Sequence, residues 1–364
     1  MPKTTSYHNQ KQLFSTFGVG FYCYDDSFPE MNSNTAYHIF DAFDDDHLQE
    51  VFSNRGMPGM IVSDSMLSYD GLPDEVKFVG LPLWINRERK QWMLSEFDNK
   101  LPVTTSSFNF MINRSQTSRY LLCKLVDILL TKSDYSYTYS GTKRNFDCTA
   151  IVNELNLLGK RSPLTASEKG QLLSPVKLKT NFVMTNTTDA TQVDTGNSAG
   201  GVEYGNNKHS WQSLKHIFFN SGIALITEST EYQKASMTSE KSLFPIFGLN
   251  FPIWVGGYCE ADAWKNMGFD VFDDVINHDY QRYDTLVERC VYAIKLNLKL
   301  LTDVELVAKL RQQHHERLLE NRYKLLTGEL EKFIEREVST VDPDWRPALD
   351  DVVNLFKHSK TNML

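Results

Sequence analysis

The stretch SFNFMINRSQTSRYLLCKLVDIL, residues 107–129, decides how the chain is read. Its opening residues continue TTSSFNFMI, an apolar run that predicts a strand. Asn113 and Arg114 follow in a polar turn, and a helix is predicted from Ser118 onward, with Ser118 as its cap and Arg119 in its first turn. Leu122, Leu125, Val126 and Leu129 fall at the spacing of one helix face. A strand, a polar turn and an amphipathic helix in that order make one α/β unit.

Working outward, the same alternation recurs. Upstream, Asp98-Asn99-Lys100-Leu101-Pro102 is turn-rich and marks a boundary near residue 100. Before it, FGVGFYCY (17–24), GMIVSD (59–64) and EVKFVGLPLWI (75–85) read as strands, while AYHIFDAF (36–43) reads as a helix or an approach loop. Downstream, Tyr135, Tyr137 and Tyr139 alternate as in an extended segment. Residues 185–209, rich in Thr, Gly and Asn, read as a long loop. SGIALITES (221–229) and FPIWVGG (251–257) are buried strands, with a loop and a short helix between them. DTLVERCVYAIKLNLKLL (284–301) is a helix, and 303–338 continues as one or two highly charged helices. The spacing of Leu310, Leu318 and Leu325 suits packing on the body better than a coiled coil.

The 364 residues carry a net charge of −8, which excludes a uniformly basic nucleic-acid coat. The charge is uneven. Residues 1–100 are net −7, residues 101–184 are net +6, and the remainder is net −7. A basic segment between acidic ones is what an anionic ligand would attract, although solvated surface lysines give the same pattern. The five cysteines, Cys23, Cys123, Cys148, Cys259 and Cys290, form no C-x-x-C pair, so a reducing compartment fits best. The amino-terminal residues lack the apolar stretch of a signal peptide, and no run reaches the length of a membrane span. These features together predict a cytoplasmic protein. No phosphate-loop, dinucleotide, zinc-protease, calcium-loop or nucleophile-elbow motif occurs. His314-His315 reads as solvated rather than ligating, and no metal site is predicted.

Two segments carry candidate chemistry. In 107–129, a cation in a helix's first turn is unfavourable for the helix dipole. It becomes sensible when an anion sits there, because free backbone N–H groups and Arg119 then share one phosphate. An ordinary capped helix with surface arginines is the alternative. In 226–257, a strand ends at Thr227-Glu228 and Ser239-Glu240-Lys241 open a helix. A carboxylate beside an ammonium at such a junction suits a ribose diol and a diphosphate. Simple amino-terminal capping by Thr238 or Ser239 with Glu240 accounts for the same residues.

Residues 105–300 resemble the donor domain of nucleotide-sugar glycosyltransferases widespread among phages and related to the α1,3-fucosyltransferases. The shared pattern is the asparagine/arginine turn before a helix in FNFMINRSQTSRYLLCKL, the strand ending in T-E in ALITES, the stretch MTSEKSLFPIFGLNFPIWVGG, and GFDVFDDVINHDYQRYDTL. The sequence departs from that pattern by Ser239, inserted between Thr238 and Glu240, and by the long 185–209 loop. The resemblance implies an α/β GT-B architecture, with two Rossmann-like domains facing across a cleft. Residues 1–100 would form the acceptor-side domain and 101–302 the donor domain, with helices 303–364 crossing back to the amino-terminal domain. It further implies a nucleotide-diphosphate sugar donor. Arg119, with Asn113 and Arg114, would bind the diphosphate, Glu240 and Lys241 would hold ribose and phosphate, and Glu228 would sit near the transferred sugar. Helix dipoles and cations can stabilise the leaving diphosphate without a metal.

An inverting reaction needs a carboxylate base, for which Asp64 and Asp70 are candidates, against a reading as solvated loop aspartates. Phage relatives suggest a hydroxymethylated pyrimidine in DNA as acceptor, flipped from the stack. Arg87, Arg89 and Lys90 between Trp84 and Trp92 would contact it, or form an amphipathic surface. The acidic first hundred residues favour instead a glycan, lipid-linked or protein acceptor. A non-catalytic binding module on a transferase fold is the remaining class.

Overall fold

Short runs of two to seven residues, most of them apolar, become the strands of two parallel sheets. The computed structural model describes residues 33, 36–39, 52–54, 56–63, 72–82, 85, 99–112, 117–130, 135–139, 149–158, 161–172, 174, 182–183, 215–228, 236, 238–346 and 349–350. In chain order the elements are β1 (Ala36–Ile39), β2 (Met60–Ser63), β3 (Lys77–Gly80), β4 (Ser106–Ile112), α1 (Thr117–Leu129), β5 (Tyr135–Tyr139), α2 (Thr149–Leu158), α3 (Ala166–Leu172), β6 (Phe182–Val183) and β7 (Ser221–Ile226). There follow α4 (Glu240–Gly248), β8 (Phe251–Trp254), α5 (Glu260–Asn266), a 3-10 turn (Asp279–Arg282), α6 (Leu286–Leu296), α7 (Leu298–Thr302), α8 (Val304–Gln313), α9 (His315–Thr327) and α10 (Glu329–Thr340). They divide into two compact units. One comprises residues 1–87, 233–238 and 328–364, and the other residues 88–232 and 239–327.

In the first unit the order is β1-β2-β3, all parallel, with Ala36 opposite Met60 and Met60 opposite Lys77. The central β2 is buried along its whole length, as a parallel strand covered on both faces requires. A side chain at Gly59 would run into the Ser33 carbonyl and the Trp345 ring, so only glycine fits there. α10 buries Leu330, Phe333, Ile334 and Val338, one stripe at helical spacing, and packs on β3. AYHI is a strand, not the helix or loop its mixed composition suggests. Pairing with the apolar β2 overrides the weak local preference.

In the second unit the order is β6-β5-β4-β7-β8, all parallel. From β4 the chain winds outward through β5 to β6. It then returns to the other side of β4 as β7 and winds outward again to β8. The order therefore reverses between β4 and β7. Strand alternation sorts side chains between the two faces. Phe108, Phe110, Ile223, Leu225, Phe251 and Ile253 share a core with Leu121, Leu122, Leu125 and Val126 of α1 and with Val287, Cys290, Val291 and Ile294 of α6. Burying one such leucine or isoleucine contributes about 1.5–3 kcal/mol. Asn109, Ala224 and Trp254 take the opposite parity, and α4 and α8 pack against β7 on this unit.

Two corrections concern helix boundaries. α1 starts at Thr117, so Ser118 is a buried first-turn residue and not the cap. The segment read as one helix, 284–301, and the segment read as one or two, 303–338, are more interrupted than that. Asn297 breaks 284–301 because its side-chain amide donates to the Ala293 and Asn277 carbonyls and accepts from the Asn277 amide. Residues 303–338 form three helices, separated at His314 and at Gly328, whose φ is 94°. His314 is not simply solvated. It packs edge-on to Phe251 and meets the Arg317 guanidinium at 2.9 Å, and Arg317 grips Asp270 and Asp274.

Candidate functional site at the switch point of the larger sheet

In an open parallel sheet, ligands bind outside the carboxyl ends of the strands, where the strand order reverses. Here that point lies beyond Ile112 of β4 and Ile226 of β7. The next element after β4 is α1, and its first turn brings Arg119 to the point. After β7 come Thr227 and Glu228, both buried. Alternation continues past β7 and sends these two side chains to opposite faces. Thr227 meets α1, where its Oγ1 accepts a hydrogen bond from Arg119 Nε at 3.3 Å. Glu228 meets α4.

Glu228 is held by the start of α4. Its Oε1 accepts from the Ser239 amide at 3.3 Å and from Ser242 Oγ at 2.5 Å, and its Oε2 accepts from Ser239 Oγ. Ser239 is the N-cap, and its Oγ accepts from the Lys241 amide and from Lys241 Nζ at 3.4 Å. In an ordinary capping box the third helical residue reaches back to the cap amide. Here Glu228 does so from the end of a neighbouring strand. Trp254 Nε1 donates to Ser242 Oγ at 2.8 Å, which leaves the serine proton for Glu228. Lys241 is partly exposed, and with Thr227, Asn109 and Phe218 it lines a small depression.

Three helices start beside the ends of β4, β7 and β8, and their first turns differ. Glu228 fills that of α4. At α6, Thr285 caps the Glu288 amide at 3.2 Å, and Glu154 accepts from the Val287 amide at 2.8 Å. A carboxylate thus complements the positive end of each dipole. α1 has no acidic residue in its first turn, and residues 113–116 before it supply none. It carries Arg119 instead, 1% exposed. The starts of α1 and α6 are drawn together by the turn after β8. Gly256 has φ +86°, and a Cβ there would lie 2.8 Å from Leu286 Cδ1 of α6 and 3.4 Å from Ser118 Cβ of α1. Arg289 holds this turn by donating from Nε to the Gly256 carbonyl at 2.8 Å.

Of the residues singled out in the sequence, the structure brings Arg119, Glu228 and Lys241 to this one edge. Glu240 opens α4, but its side chain lies outside the described residues, as do Asn113, Arg114, Asp64, Asp70, Arg87, Arg89 and Lys90 and the 17–24 and 185–209 segments. Asn109, Ser242 and Trp254 were not singled out. The signal for Ser242 is its place three residues after the Ser239 cap. Among the described residues no cluster of three or more His, Cys, Asp or Glu side chains is arranged to hold a metal ion, and no helix is long and apolar enough to cross a membrane.

No family model matches the chain, and no curated protein matches it. Among solved structures it is similar to a glycosyltransferase from Rickettsia africae ESF-5. That likeness has 11% identity and a TM-score of 0.39, over 92% of this chain and 83% of the other.

Proposed function

We propose that the chain is a glycosyltransferase whose donor is a nucleoside-diphosphate sugar, bound at the carboxyl edge of β4 and β7. The observation that carries the proposal is Arg119, a buried guanidinium in the first turn of a helix whose first turn holds no acidic residue, joined to Thr227 across the switch point. A cation and helix N–H groups at one place favour a polyanion. Lys241 adds a second positive group on the other side of β7, and Glu228 a hydroxyl acceptor between them. Two parallel-sheet units, one bearing this edge, are what a GT-B transferase requires, with the acceptor assigned to the unit containing β1–β3.

In the proposed reaction an acceptor hydroxyl attacks the anomeric carbon as the bond to the diphosphate breaks. The electron pair leaves on phosphate oxygen, where Arg119, the α1 amides and Lys241 stabilise it. The hydroxyl proton passes to a carboxylate, for which Asp64 and Asp70 are the proposed candidates. Equilibrium titration with GDP, UDP, CDP and dTDP tests the donor half. Wild type is expected to bind one of them, and Arg119→Lys to bind it at least tenfold more weakly while melting as wild type does. Equal binding by both proteins would overturn the assignment. Hydrolysis of the matching donor sugar separates a transferase from a binding module. If DNA is the acceptor, turnover falls steeply with ionic strength, whereas turnover on a neutral glycan does not.

A further inference from the structure

We infer that a second small depression, between α4, β8, α5 and α9, is an internal hydration site, in which water accepts a hydrogen bond from Trp264 Nε1 and donates one to Asn250 Oδ1. The inference does not rest on the donor-site reading above. Ile246 of α4, Pro252 of β8 and Leu318 of α9 give the depression apolar walls, and it has room for water but not for a larger molecule. Trp264 of α5 and Asn250, beside the start of β8, line it too, and are 1% and 2% exposed. Neither Trp264 Nε1 nor Asn250 Oδ1 has a hydrogen-bond partner among the described residues.

Both groups are held in place. Asn250 Nδ2 donates to the Phe218 carbonyl at 2.9 Å and to the Ser221 carbonyl. Turning the amide over would set its oxygen against those two carbonyls, so Oδ1 stays on the other side. The Trp264 ring packs edge-on to Phe269, with centroids 4.9 Å apart, and stacks on Trp254 at 6.2 Å. It cannot swing its N–H out to solvent. Other polar side chains around the depression are already engaged. Trp254 donates to Ser242 at 2.8 Å. Asn321 accepts from the Asp270 amide and donates to its carbonyl, and the Asp270 carboxylate accepts from Arg317 and from the Phe272 amide. The ligand chemistry follows from the two groups that remain. An indole N–H only donates and an amide oxygen only accepts, so what serves both must accept at one and donate at the other. Water does both, and neither an anion nor a metal ion does. Burying such groups with no partner is costly, and buried waters settle where polar groups of this kind line a space of their own size.

A crystal structure of the full chain and one isosteric replacement test this. The crystal structure is expected to show water within about 2.7–3.2 Å of both Trp264 Nε1 and Asn250 Oδ1. Benzothienylalanine, in which sulfur stands for the indole N–H while the two-ring shape is kept, is placed at Trp264 and, in a second protein, at Trp254, and each is melted beside wild type. At Trp254 the replacement removes the bond to Ser242 and sets the fall in melting temperature that one lost bond brings. At Trp264 a fall of similar size is expected, because a bond to water is lost there. An unchanged or raised melting temperature at Trp264 would mean that the N–H had no partner to lose, and would overturn the inference. So would a crystal structure with no water bound at Trp264 and Asn250, whichever way the melting temperature moves.

Discussion

Replacing Ser239 with alanine removes the N-cap of α4 and one of the hydrogen bonds to buried Glu228. The Ser239 amide remains, so the loss is the hydroxyl's. A lost cap costs about 1 kcal/mol, and a buried carboxylate short of a partner costs about 1–3 kcal/mol. Urea unfolding of Ser239→Ala should show a loss of about 2–3 kcal/mol, and a loss under 0.5 kcal/mol would show that Glu228 is not held as described. His278 makes a second residue-scale prediction. Its Nε2 meets the Val271 carbonyl at 2.9 Å, and burial pulls its pKa below the usual 6.5. Asp273, Asp262 and Lys265 are its charged neighbours. Unfolded chains take up this proton as pH falls through 6.5, but the folded protein does not, so stability should drop below that pH. Comparing unfolding at pH 7.5 and 5.5 for wild type and His278→Phe checks it: the drop should shrink in the variant. At this scale Glu228 and Lys241 were legible because strand-end and helix-start patterns are local. Ser242 and Trp254 were not, because their roles depend on which face of β8 meets α4.

Helices and turns converge at Gly256. With φ +86° and Leu286 Cδ1 2.8 Å from the Cβ an alanine would add, Gly256→Ala strains the backbone and pushes α6 at once. Positive φ in a non-glycine residue costs of order 1–3 kcal/mol. We predict at least that loss in urea unfolding, with weaker diphosphate binding because Ser118 in α1's first turn lies on the same glycine. Wild-type stability in Gly256→Ala would mean that the turn relaxes freely. The strands FNFMI, GIALI and FPIW were readable because parallel strands buried on both faces are continuous apolar runs. AYHI was misread because its placement depends on a long-range pairing with β2. The breaks at Asn297 and His314 were missed because the helical spacing of leucines continues through them, while the contacts at the breaks, Asn297 with Asn277 and the His314 ring with Phe251, are tertiary.

Across the whole chain, Arg119 and Thr227 lie 108 residues apart in sequence and one hydrogen bond apart in space. The alternation of strands and helices was legible, but the lateral order was not. Sequence order fixes which strand follows which, and nothing local says that β7 returns to the flank of β4 instead of extending beyond β6. That return creates the switch point, so the two candidate segments could be named but not joined from the sequence alone. Charge points the same way, with a net +6 segment at 101–184 in a chain of −8. A thermal-shift panel of GDP, UDP, CDP and dTDP against wild type and Arg119→Lys tests the central claim most directly. One diphosphate should stabilise the wild type, by about 2.7 kcal/mol at 100 times its dissociation constant, and leave Arg119→Lys nearly unmoved. No shift in wild type with any of the four, or equal shifts in both proteins, would contradict a donor site built on Arg119.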